Sequence, residues 1–134
     1  MNVLAFTDIH GDEKKLKKVK EKAKQAELLV CAGDMTVFEN HMRHLLKELN
    51  SIGKTILLIH GNHEDDDSLR KECVGFKNII FIHKKFHEAN GILFVGYGVG
   101  GFSLRDPEFE KLSKKIAEER KVRRLVIIFH GHHY

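Results

Sequence analysis

Apolar residues follow two alternating textures along this chain. Short, nearly unbroken apolar runs at residues 2–6, 27–32, 54–60 and 124–129 read as strands, the third as a buried one. Between them lie longer stretches in which apolar positions recur every three or four residues, with lysine and glutamate elsewhere. The first runs from Asp12, a helix-capping residue, to about Gln25, and sets Leu16, Val19, Ala23 and Ala26 close to one face. The second covers residues 39–49, with Met42, Leu45, Leu46 and Leu49 as its stripe. A short third helix begins within residues 65–68, and a fourth covers 108–121 with Phe109, Leu112 and Ile116 inward. Residues 78–83, 84–88 and 92–97 are shorter segments, the last two parted by Asn90-Gly91, a hairpin signal. Strands alternating with helices predict a largely parallel sheet with helices against it.

The strand ends carry the chemistry. The first runs into Asp8-Ile9-His10-Gly11, the second into Gly33-Asp34, the third into Gly61-Asn62-His63-Glu64, and the last into His130. The carboxyl ends of strands are where α/β proteins place ligand sites. Asp8 and His10, two apart in extended chain, share a side. With Asp34, Asn62 and His130 they form a mixed nitrogen and oxygen donor set, suited to Mn, Fe, Ni, Co or Zn. Two such ions hold a hydroxide and clamp a phosphate ester for in-line attack. Asp-x-His or Gly-Asp alone is a weak signal. The four motifs in order, each at a strand end, are a strong one.

Composition narrows the rest. The chain of 134 residues suits one domain with one core. It has no apolar stretch near the ~20 residues of a membrane span, and its start lacks the core and basic flank of a signal peptide. A cytoplasmic protein is expected. Cys31 and Cys73 form no Cys-x-x-Cys pair, and Cys31 inside a strand reads as a buried free thiol. The net charge of +4 mildly favours phosphate-bearing substrates. The lysines of the first helix read as a solvated face; no aromatics interleave with them, so nucleic-acid binding is not favoured. His83 and His87 read as surface residues, with lining of a substrate groove as the alternative. Residues 96–101 hold four glycines without a following Lys-Ser or Lys-Thr, which suits a sharp turn near the cleft floor better than a nucleotide loop.

Asp8-x-His10, Gly33-Asp34, Gly61-Asn62-His63-Glu64 and the single His130 resemble the motif series of the calcineurin-like metallophosphoesterase superfamily. The resemblance implies that superfamily's layered α/β/β/α sandwich over residues 1–134. It implies two divalent metal ions: Asp8 and His10 on the first, Asp34 bridging, Asn62 and His130 on the second. It also implies that His63 acts at the leaving-group oxygen, and that the reaction is metal-dependent hydrolysis of a phosphate ester or diester. The superfamily's last motif, G-H-x-H, is not found before Tyr134. The expectation is therefore a sandwich truncated on its C-terminal side, with each metal short of one histidine. From this follow an expected homo-oligomer, covering apolar surface by the last strand, and weak activity. The alternative is a metal- or protein-binding scaffold with the same fold.

Overall fold

A computed structural model describes residues 1–33, 41–61, 66–98 and 107–129. The elements are β1 (Val3–Phe6), α1 (Glu13–Ala23), β2 (Leu28–Cys31), α2 (Met42–Asn50), β3 (Ile56–Leu58), α3 (Asp66–Cys73), β4 (Ile79–Phe81), β5 (Phe86–Ala89), β6 (Ile92–Tyr97), α4 (Pro107–Glu119) and β7 (Arg124–Phe129). All four apolar runs became strands, each of the first three shorter than its run.

The strands form two sheets. β1, β2, β3 and β4 lie side by side in chain order, all parallel. β5, β6 and β7 make a second sheet, antiparallel between β5 and β6 and parallel between β6 and β7. The parallel sheet anticipated from the sequence is thus the first of two packed layers. Side chains alternate across each strand. On one face of the first sheet, Leu29, Cys31, Ile56, Leu58, Ile79 and Phe81 join the apolar stripes of α1, α2 and α3. On the other, Leu28, Val30, Leu57 and Ile59 meet Phe94 and Ile128 of the second sheet. α4 packs beside β7, and the order of layers is α/β/β/α. No helix among the described residues is long and apolar enough to cross a membrane.

Local sequence signals account for most junctions. Asp12 caps α1, its carboxylate accepting from the amides of Lys14 (2.9 Å) and Lys15 (3.4 Å). The other end of α1 is held by Lys54, whose ammonium donates to the carbonyls of Ala23 (2.6 Å), Lys24 (3.2 Å) and Ala26 (2.6 Å). Asn90-Gly91 is the hairpin loop between β5 and β6, both residues at positive φ (51° and 75°) and Ala89 paired with Ile92. The α1 lysines are not all free in solvent. Lys20 is paired with Glu48 of α2, and this hydrogen bond and charge hold the Glu48 carboxyl below its usual range.

The first and last runs are the outer strands of their sheets: β1 is exposed at Val3 and Ala5, and β7 at Arg124, Ile127 and Phe129, the latter as expected of a strand that leaves apolar surface uncovered. On α4 the expectation is corrected at Leu112, while Ile116 lies inward and the Phe109 side chain is outside the described residues. Ser113 is fully buried, with Ile116 and Ala117 half-buried, whereas Leu112 is 48% exposed. One helical face holds Ser113, Ile116 and Ala117, three or four residues apart, and Leu112 falls on its flank.

Candidate functional site

Parallel strands in one sheet end at the same edge, so the loops after β1, β2 and β3 emerge together. The first carries Asp8 and His10. Both have left-handed backbone, φ 58° and 49°. This is uncommon for residues other than glycine, although Asp and His tolerate it better than most. Such conformations persist where surrounding structure enforces them, and they cluster at functional sites. Here Ile9, between the two, is buried to 1% exposure and pegs the loop into the core. The Asp8 amide donates to the Gly33 carbonyl (3.3 Å), and the Thr7 hydroxyl lies 3.3 Å from the carbonyl of Ala32 and 3.2 Å from that of Gly33. Lys15 reaches back from α1 to the Asp8 carbonyl at 3.2 Å.

These restraints bring His10 Nε2 to 3.5 Å from Asp8 Oδ1, with both side chains partly open to solvent. The expected shared side is realised, but through a left-handed turn and not the extended chain assumed from the sequence. Two donors each about 2.1 Å from one cation stand roughly 3.0–3.4 Å apart for octahedral to tetrahedral angles. The Asp8 and His10 pair is close to that spacing, so these two donors are compatible with a shared divalent cation.

The second and third loops meet at a backbone contact. Gly33 has φ +92°, and a Cβ placed there would lie 2.7 Å from Gly61 N and Cα and 2.9 Å from His60 C. Only glycine allows the exit of β2 to lie this close against the exit of β3. The next residues along the chain are Asp34 and Asn62. Asp34, Asn62, His63 and His130 themselves lie outside the described residues. Among the described residues no three His, Cys, Asp or Glu side chains converge as a metal site.

Beside the first loop opens a cavity of about 360 Å³ lined by Gly11, Glu13, His41, His44 and Leu45. His44 Nε2 is 3.5 Å from Glu13 Oε1, and His41, heading α2, is at φ 58°. The sequence reading passed over both histidines, since one sits on a helix flank and the other just before it. Their only signal was proximity in sequence to the second motif.

The reading of His83 and His87 as surface residues is corrected. Both are half-buried. Burial lowers the His87 imidazole from its usual value. His83 Nδ1 accepts the Gly98 amide at 2.7 Å, and its ring stands edge-on to the ring of His60 with centroids 4.6 Å apart. No local pattern foretells either contact, because the partners come from other strands.

A search of curated proteins found no match. Solved structures share the fold. One crystal structure, 19% identical with a TM-score of 0.72, is matched over 96% of this chain and 68% of its own. That of TT1561 of Thermus thermophilus, 14% identical with a TM-score of 0.73, is matched over 98% of this chain and 68% of its own. The calcineurin-like phosphoesterase family model matches residues 1–134. With the exits of β1, β2 and β3 at one sheet edge and its layers in the order α/β/β/α, the chain belongs to the calcineurin-like phosphoesterase family.

Proposed function

We propose that the protein is a metal-dependent phosphoesterase that hydrolyses a phosphate ester or diester with water. Phosphoester hydrolysis with divalent metals is the general chemistry of the family. The observation that carries the reading is the Asp8 and His10 pair, held at 3.5 Å by a left-handed loop that the neighbouring loop braces. Asp8 and His10 would hold one divalent cation, Asp34 would be shared with a second, and Asn62 and His130 would complete the second. Mn, Ni, Fe and Zn all suit such donors. When bound, the ions supply an activated water and neutralise charge on the phosphoryl oxygens.

The chain's own residues do the rest. The carboxylates of Asp8 and Asp34 would repel each other in the absence of cations, so the site is built to be loaded. Thr7, Ile9 and Lys15 fix the first loop, which would keep a bound cation from shifting under the substrate. His63 would give a proton to the leaving oxygen, with Glu64 beside it in sequence. The cavity bounded by Glu13, His41 and His44 lies beside the first loop and has room for the esterified group.

The test is metal retention and turnover together. After dialysis against Mn²⁺, the wild type should retain metal and Asp34→Ala should lose it. Retained metal should support hydrolysis of bis-p-nitrophenyl phosphate, and His63→Ala should slow it roughly 10²–10⁴-fold with metal content unchanged. Parallel loss of metal in His63→Ala would make that residue a ligand. Metal bound without turnover on any phosphate ester would refute the enzymatic reading in favour of a metal-binding scaffold.

A further inference from the structure

Three strand exits beyond the first loop are joined by side chains that the proposed chemistry does not use. His60 follows β3 by two residues, His83 follows β4 by two, and Gly98 follows β6 by one. His60 is buried, 6% exposed, although it is an imidazole next to the sheet edge. Its ring lies against His83 at 4.6 Å and 79°, and 6.1 Å from the ring of Phe81. His83 also meets Tyr97, with centroids 5.3 Å apart. A Cβ built on Gly98 would overlap the His60 ring, so the close seat of that imidazole depends on the absence of a side chain there. Gly96 is equally closed, a Cβ there falling 2.5 Å from the Ile82 carbonyl oxygen and 2.9 Å from Ile59 Cγ2.

The Gly98 amide donates to His83 Nδ1, so this nitrogen carries the lone pair and a neutral His83 bears its proton on Nε2. A backbone bridge between His83 and Gly96, and a hydrogen bond from Lys84 N to Gly96 O (2.8 Å), bind the same junction. It is here that the chain leaves the first sheet for the second. His83 thus links all three exits: its own strand, the ring after β3 and, through a hydrogen bond, the amide after β6.

We propose that His83 is a positioning residue: it clamps His60 and the Gly98 amide, and so fixes the β3 exit that leads into Asn62 and His63. Its effect on turnover rests on the phosphoesterase reading; the clamp itself does not. The imidazole suits this task because one flat group supplies both a packing face and an in-plane acceptor. Phenylalanine keeps the first and lacks the second. Asparagine keeps an acceptor near the Nδ1 position and lacks the ring.

The experiment uses the whole chain and the variants His83→Phe and His83→Asn, each first checked for cooperative thermal unfolding. Long-range ¹H–¹⁵N spectra of the wild type should show His83 protonated on Nε2 alone; a proton on Nδ1 would overturn the proposal. Amide exchange should then rise roughly tenfold in His83→Phe at Gly98 and also at Gly61, next in sequence to the His60 ring that His83 packs against. In His83→Asn, Gly98 should stay within about threefold of the wild type. Loss of protection at Gly98 with Gly61 unchanged would show that nothing is transmitted, and would overturn the proposal. With Mn²⁺ and bis-p-nitrophenyl phosphate, His83→Phe should lower kcat with KM nearly constant, and His83→Asn should recover part of it. If the wild type neither retains metal nor turns over, the phosphoesterase reading fails, and the clamp is still judged by the tautomer and by the exchange of Gly61.

Discussion

Replacing Gly33 by alanine separates two costs that glycine positions usually confound. At φ +92° an alanine pays for a left-handed backbone, about 1–2 kcal/mol. Gly53 provides the control, since it has φ +80° and a Cβ there meets nothing within 4 Å. Gly53→Ala should therefore show the backbone cost alone. For a chain of 134 residues, 1 kcal/mol lowers Tm by about 3–5 °C, so Gly53→Ala should melt about 3–10 °C below the wild type. Gly33→Ala adds a steric cost. Its Cβ would stand 2.7 Å from Gly61 N and Cα, and ordinary contact begins near 3.4 Å, so the two loops must part by about 0.7 Å (3.4 − 2.7). The obstacle is backbone and cannot rotate away. The Asp8 amide bond to the Gly33 carbonyl is strained by the same movement. Gly33→Ala should melt below Gly53→Ala, and its affinity for Mn²⁺ should fall tenfold or more, because displacements of about 1 Å are costly in preorganised sites. Scanning calorimetry and titration calorimetry with Mn²⁺ read both. If the two variants match in Tm and in metal affinity, the contact between the β2 and β3 exits does not shape the site.

Three further outcomes follow from the structure. Lys54→Met should cost about 1.5–3 kcal/mol in chemical denaturation, since one ammonium holds three carbonyls at the α1 terminus; a loss under about 0.5 kcal/mol would mean that water replaces it. Burial pushes the Cys73 thiol up to about 12, so the unfolded chain loses this proton above its usual 9.0 while the folded chain keeps it. Stability should then fall as pH rises from 9 towards 12, less steeply in Cys73→Ala, and native protein at pH 8 should react with Ellman's reagent only slowly; rapid labelling of both thiols would refute their burial. Leu112, Ile127 and Phe129 are 48%, 39% and 48% exposed around β7, whose outer edge has no strand partner among the described residues. Light scattering should show a dimer that Phe129→Glu weakens, and a wild-type monomer at tens of micromolar would refute self-association through this face.

The features legible in the sequence are those decided by neighbours along the chain. Asp12 caps its helix through amides two and three residues on, and Asn90-Gly91 turns its hairpin within two residues. Four apolar runs ended in Asp, His or Asn because a strand pairs through its backbone and leaves its end free to carry any side chain. That much located Asp8 and His10. It did not reveal that both stand in left-handed backbone, a conformation imposed by Ile9 in the core and by Gly33 from another strand. Edge and centre were also invisible. An apolar run reports that some face is dry, not which strand lies alongside, so the run at β1 looked like those at β2 and β3. His83 shows the same limit on the polar side. Its surroundings in sequence, Ile82 and Lys84, suggest a strand end at the surface. Its role comes from an amide fifteen residues later and a ring twenty-three residues earlier. Glycine offers a partial remedy. Gly33, Gly96 and Gly98 each stand where another chain segment allows no Cβ, so a glycine within a few residues of a strand end, with no turn to justify it, is itself evidence of a close tertiary approach. In this structure those approaches draw the exits of β2, β3, β4 and β6 together, and two of them, at Gly33 and at Gly98, converge on His60.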